Sequence, residues 1–310
     1  MHNNKIRIVE MTGGLGNQMF QYAFGKYLEK IYPKDIIKFD CSYYGLDNSI
    51  RTFSLENVFG LKVNKASKRE VRAVRGFFQY DSKLDRTIFK IVGLLKNRHK
   101  KKHNVQGDYF CEIIEDLDKD FEENNILTES NSYYSGYWQS EKYFISFRKK
   151  IYEDFSFNLK EEPEEFSNIL KKIQDSNSIA LHVRLEDYLN EENCRVYGEI
   201  CTADYYFKAI EYFNKEYEEC IFYVFSTDLE AAMDFLPKGY KYVPVVYDGQ
   251  KDYLDMYLMT KCRHSIIANS TFSWWGAWLN TYPDKKVICP DRWFNNHDVY
   301  NQYCEGWIKV

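Results

Sequence analysis

From residue 179 onward, short apolar runs alternate with helical repeats, and no other feature limits the fold as strongly. IALHVR (179–184), IFYVFST (221–227), YKYVPVV (240–246), HSIIANS (264–270) and KKVICP (285–290) read as strands. Between them, residues 203–217, 228–236, 251–262 and 271–280 read as helices. In 251–262, for example, Leu254, Tyr257, Leu258 and Lys261 fall on one side. Strands separated by helices give a doubly wound α/β domain.

The N-terminus opens in the same way. IRIVEM (6–11) reads as a buried strand. Over 17–32, Phe20, Phe24, Tyr27, Leu28 and Ile31 recur at spacings of three and four, which predicts a helix. Pro33 stops it, and DIIKFD (35–40) resumes as a strand. The middle is less regular. Residues 62–103 are basic and end in KNRHKKKH, with the apolar stretches 75–78 and 88–95 nearby. Residues 133–144 are aromatic and polar, and 156–178 form a polar connection containing a helix. The expected organisation is an N-terminal α/β domain over 1–157 and a Rossmann-like domain over 158–310, facing a cleft.

Length and charge narrow the function classes. The 310 residues suffice for two domains, and the net charge of −4 carries no nucleic-acid signature. No apolar run approaches the ~18 residues of a membrane span. No signal peptide is evident, so the eight scattered cysteines are expected as reduced thiols in the cytoplasm.

Three stretches fall at predicted strand ends, where such domains bind ligands. GGLGNQ (13–18) permits tight turning and close backbone approach, and the helix that follows aims its positive end at the cleft. Gly14, Gly16 and Asn17 are the candidate contacts there. A dinucleotide fingerprint is spoiled by Met19 at its last position. In HVRLED (182–187), His182 and Arg184 share one face, and an arginine fork suits phosphate oxygens. In NSTFSWWGAW (269–278), Asn269, Ser270 and Thr271 can cap a helix or hold a phosphate. Trp274, Trp275 and Trp278, at helical spacing, fit a core better than a sugar platform. Asp187, Glu191, Glu192 and Asp228 lie at or past strand ends as candidate bases. No metal-binding pattern appears: His99 and His103 are separated by three lysines, and the DLD at 116–118 lies in a polar stretch.

GGLGNQMFQYAFGKYLE, GYWQSEKYF, HVRLEDYL, FSTD and IIANSTFSWWGAWLN, in that order, closely resemble the α-1,2-fucosyltransferases of glycosyltransferase family 11, from near residue 8 to near 293. The resemblance implies a GT-B-type fold, GDP-β-L-fucose as donor, and transfer with inversion to the 2-OH of a galactoside, with no metal or cofactor. The family's HxRRxD motif falls on His182, Arg184, Leu185 and Asp187, with leucine in place of its second arginine. By this resemblance Arg184 holds the donor β-phosphate, His182 lies near the nucleotide, Asn17 contacts the donor, and the 269–272 stretch, including Phe272, contacts phosphates. Asp228, in FSTD, joins the donor set. Asp187 is the base chosen, with Glu191 or Glu192 next.

The acceptor is expected in the N-terminal half, against Tyr137 and Trp138, with Tyr133 and Tyr134 as further aromatic candidates. The basic segment 62–103 reads as a solvated run or as a peripheral contact with anionic membrane, where a lipid-linked oligosaccharide would be met. Competing accounts are a fucosyltransferase of another linkage, a nucleotide-dependent oxidoreductase, and a non-catalytic sugar-binding protein.

Overall fold

The computed structural model describes residues 4–46, 51–75, 111–119, 121, 126–159, 162–185, 191–297 and 300–310. Two all-parallel sheets organise it. Strands β1 (Ile6–Glu10), β2 (Ile36–Asp40), β3 (Cys111–Ile114) and β4 (Ser132–Ser135) form the first, in the order β2-β1-β4-β3. Strands β5 (Asn177–His182), β6 (Cys220–Phe225), β7 (Tyr242–Pro244), β8 (His264–Ile266), β9 (Val287–Cys289) and β10 (Ile308–Lys309) form the second. Its order is β10-β9-β8-β5-β6-β7. Counted from β5, that is the 3-2-1-4-5-6 order of a dinucleotide-binding sheet. The expected GT-B-type pair of Rossmann-like lobes is therefore the fold.

The helices form where the apolar spacing predicts them. Leu15–Ile31 buries eleven of its seventeen residues and stops just before Pro33. Thr271–Leu279 buries everything from Ser273 onward. The end of this helix is closed by Lys285, whose Nζ donates to the carbonyls of Ala277 (2.7 Å), Trp278 (3.1 Å) and Asn280 (2.6 Å). A cation at orphan carbonyls is the favourable pairing for a helix C-terminus.

These two helices belong to different lobes and pack on each other. Phe20 lies 4.5 Å from Trp274 and 4.8 Å from Trp275, ring centre to ring centre. Phe144 stacks on Trp275 at 5.3 Å and meets Trp278 edge-on at 5.2 Å. Each indole nitrogen has a partner: Trp274 donates to the Gln302 carbonyl, Trp275 to the Gly16 carbonyl and Trp278 to Glu141. The three tryptophans are core, as their spacing suggests, and this core crosses the junction between lobes.

One expectation for the middle of the chain is corrected. SYYS is a central strand, not an acceptor surface: Tyr133 and Tyr134 are completely buried, with hydroxyls bonded to Asp40 and to the Ile126 carbonyl. Of the basic segment 62–103, residues 62–75 are described, and 68–75 form a helix whose Val71 and Val74 pack against Ile8 and Tyr133. The remainder lies outside the described residues. Among the described residues no helix is long and apolar enough to cross a membrane.

Candidate active site at the lobe junction

In the second sheet, the connections from β5 and β8 leave in opposite directions, so the carboxyl ends of these two neighbours open a crevice. Arg184 follows β5 and Ser270 follows β8. The structure joins them: Arg184 Nη1 donates to Ser270 Oγ at 2.7 Å. Ser270 is also the N-cap of the Thr271–Leu279 helix and accepts from the Phe272 amide at 3.3 Å. A guanidinium thus stands at the positive end of a helix. Both the guanidinium and the helix start attract an anion placed between them.

The first lobe supplies a second helix start. Gly14 is the N-cap of Leu15–Ile31, with no capping side chain and no acidic residue in the first turn. Space beside Gly14 is open, with no atom within 4 Å of where a Cβ would sit. At Gly16 a Cβ would lie 2.6 Å from Thr271 Oγ1, so only glycine lets the two helix starts touch. Gly13 has φ +79°, and a Cβ there would meet Asn17 Nδ2 at 2.5 Å. The crevice therefore gathers two helix N-termini with no acidic residue in their first turns and one guanidinium, an arrangement suited to a diphosphate.

Other predicted residues have different roles. His182 has a buried Nδ1 with no partner, and its ring sits 5.8 Å from Phe272. Phe272 is half-buried and packs against the core. Asn269 is spent internally: its Nδ2 donates to the carbonyls of Tyr197 (3.1 Å) and Trp293 (3.3 Å), and its Oδ1 accepts from Cys201. It ties the crevice wall together rather than offering a free group. Asp228 is an exposed cap, accepting from the Ala231 amide at 3.0 Å, and it follows β6, one strand from the switch point. Leu185 packs against the second-lobe core, so the position of the motif's second arginine is apolar in contact as well as in kind.

The acceptor pair divides. Tyr137 is 38% exposed, whereas Trp138 is 2% exposed and stacks on Phe24 at 4.0 Å. Trp138 is thus corrected from sugar platform to core. Asp187 lies outside the described residues, as do the side chains of Glu191 and Glu192, which start the Glu191–Tyr197 helix.

Several functional side chains escape a reading of the sequence. Gln18 and Gln21 are fully buried. Gln18 bonds the carbonyls of Gly13 and Thr52; Gln21 bonds Thr12 and the Gly136 carbonyl. They clamp the loops after β1 and β4. Two amides three apart on an apolar helix were the available signal, since a buried polar group must find partners. Glu10, ending β1, bonds the Ser135 hydroxyl, lies 3.8 Å from Arg75, and has its carboxyl pushed up by burial. Among the described residues no cluster of His, Cys, Asp and Glu could hold a metal.

His182 also sets a pH response. Burial, with the charge of Arg184, pushes it down to about 3, and burial pushes His264 down to about 4. Below about pH 6.5 the unfolded chain takes up protons that the folded chain refuses, so stability falls on acidification from 6.5 toward 4. Each group contributes up to ~1.4 kcal/mol per pH unit in that window. Urea midpoints at pH 7, 6 and 5 should fall steadily, and less steeply in His182→Asn. An identical slope in the variant would remove His182 from this account.

The model described as "Glycosyl transferase family 11" matches residues 6–310. The O-antigen biosynthesis glycosyltransferase WbnK of Escherichia coli is 32% identical, aligning 97% of this chain with 99% of its own. An alpha-1,2-colitosyltransferase of Escherichia coli is 28% identical over 98% and 99%. Galactoside alpha-(1,2)-fucosyltransferase 1 of Saimiri boliviensis boliviensis is 28% identical over 47% of this chain and 42% of its own. Among solved structures, fucosyltransferase NodZ from Bradyrhizobium covers 88% of this chain and 93% of its own at 14% identity and a TM-score of 0.45. This chain belongs to glycosyl transferase family 11.

Proposed function

We propose that this glycosyltransferase moves L-fucose from GDP-β-L-fucose to the 2-hydroxyl of a terminal galactoside, with inversion and without a metal, in the synthesis of a bacterial surface polysaccharide. The observation that carries the reading is the Arg184–Ser270 contact at the β5/β8 switch point, facing the open Gly14 helix start. In the reaction the bond from C1 to the β-phosphate oxygen breaks while the acceptor oxygen bonds C1 from the opposite face. Negative charge grows on the leaving diphosphate, and the guanidinium and two helix starts stabilise it. The acceptor hydroxyl's proton passes to a carboxylate on the other side of the sugar. Asp187 is the base chosen, for its sequence position just after the strand. Tyr137, exposed at the carboxyl edge of the first sheet, is the acceptor contact.

A second donor is favoured by one finding: the similarity to the colitosyltransferase extends over 98% of this chain. GDP-colitose, the 3-deoxy analogue, therefore belongs in the test. Incubation with either donor and a panel of β-galactosides, followed by linkage analysis, should yield α-1,2 product with GDP-fucose. A stronger response to GDP-colitose would reassign the donor, and no transfer from either would end the reading. In parallel, GDP at 100 times its dissociation constant should add ~2.7 kcal/mol of stability, whereas NAD should add nothing. In Asp187→Asn the acid limb of the pH–rate profile should disappear; an unchanged limb and rate would take the base away from Asp187. The acceptor being lipid-linked, and the basic segment 62–103 resting on anionic membrane, are further parts of this proposal. Vesicle co-sedimentation that fails at low salt would discard the membrane contact.

A further inference from the structure

We propose that Gln139 is a positioning residue that fixes the side-chain amide of Asn17 with its NH₂ toward the donor, and that Glu115 holds the Gln139 loop in the conformation this requires. The proposal rests on the reading of Asn17 as a donor contact.

Gln139 is buried, and its Nε2 donates to Asn17 Oδ1 at 3.1 Å. Its own Oε1 accepts from Gln302 Nε2 at 3.5 Å. Three side-chain amides thus form a chain in which each NH₂ donates to the next oxygen. Successive bonds of one polarity reinforce each other. Asn17 is the last member. Its oxygen is held by Gln139, and both N–H groups of its NH₂ remain to be offered. That NH₂ lies over Gly13, where a Cβ would come within 2.5 Å of it, beside the open face of Gly14. A donor there suits phosphate or hydroxyl oxygens and repels none.

The loop that presents Gln139 is bent against its preference. Trp138 has φ +56°, a left-handed conformation that is costly for a bulky residue. The amides of Tyr137 and Trp138 both point at one carboxylate oxygen, Glu115 Oε2, at 2.7 and 2.9 Å. These two backbone bonds to one oxygen offset the strain. Gly136 leaves no other route, since a Cβ there would meet Glu115 Cβ at 2.5 Å. The Gly136 carbonyl is then held by Gln21, from the same helix that carries Asn17. Glu115 therefore acts through the loop, and Gln139 through Asn17.

A double-mutant cycle on GDP binding, followed by calorimetry, tests the relay. Gln139→Met should raise the GDP dissociation constant about fivefold to tenfold, the scale of one neutral hydrogen bond. In an Asn17→Ala background the same change should do nothing, because the residue it orients is gone. Equal losses in both backgrounds would mean that Gln139 acts as general packing, and the relay would be wrong. Glu115→Gln should speed hydrogen exchange at the Tyr137 and Trp138 amides at least tenfold, with the melting temperature recorded to confirm folding; unchanged exchange would overturn Glu115's part. Should Gln139→Met fail to fold, Gln139→Ala takes its place in the cycle. A wild-type protein that binds no GDP would sink the donor-site reading and the ligand half of this proposal with it, whereas additive losses with GDP binding intact would sink the relay alone.

Discussion

Replacing Arg184 by alanine is expected to lower turnover roughly 100- to 1000-fold, the usual cost of removing one preorganised donor from a developing oxyanion. The guanidinium reaches the Ser270 hydroxyl at the very start of a helix, on the crevice between β5 and β8. It is half-buried there, so its interaction with a leaving phosphate is less screened than at a surface. Arg184→Lys should recover little, because a point charge cannot serve Ser270 and a phosphate oxygen with a planar fork. The substitution also removes the 2.7 Å bond to Ser270, so the melting temperature is recorded beside the rate. A kinetic loss of this size in a variant that is still folded at the assay temperature distinguishes charge stabilisation from damage to the fold. Turnover within threefold of wild type, measured at saturating donor and acceptor, would exclude Arg184 from the chemistry.

The parts of this molecule that were legible share a physical character. Aliphatic strands such as IRIVE and IALH, and helices with a clear apolar face, declare themselves through period alone. Glycines at 13, 14 and 16 mark a place where backbone must come close, and the structure shows that one of the close partners is Thr271, more than 250 residues away. What the pattern hides is anything decided by tertiary partners. SYYS has no aliphatic residue, yet its tyrosines are completely buried because β1 and β3 flank it and Asp40 and Ile126 satisfy the hydroxyls. Trp138 and Tyr137 look alike as aromatic neighbours, but the left-handed turn at Trp138 sends the indole onto Phe24. Asn269 looks like a ligand contact until its amide is seen to be used up by Tyr197, Trp293 and Cys201. Motif residues thus divide into those facing the crevice and those building its wall, and only packing makes the division.

The second large effect concerns the junction itself. Trp275→Ala is expected to cost ~3–5 kcal/mol of folding stability, the range for truncating a buried large aromatic. Trp275 is fully buried and contacts rings from both lobes, including Phe20 at 4.8 Å and Phe144 at 5.3 Å. Its Nε1 is bonded to the Gly16 carbonyl at 3.0 Å, so truncation also strips a partner from a group of the glycine turn. Trp275→Phe separates the two contributions. It keeps most of the ring contacts and loses the N–H, and should cost only ~1–3 kcal/mol, the penalty for an orphaned buried acceptor. Because the aromatic cluster draws residues from both sheets' helices, the lobes have no separate cores at this seam. Urea unfolding of the wild type should therefore show one transition by tryptophan fluorescence and by far-ultraviolet circular dichroism alike, and Trp275→Ala should shift both together. Two resolved transitions, with only one moved by the substitution, would mean that the lobes fold independently and that this cluster is not what fixes the distance between Arg184 and the glycine turn.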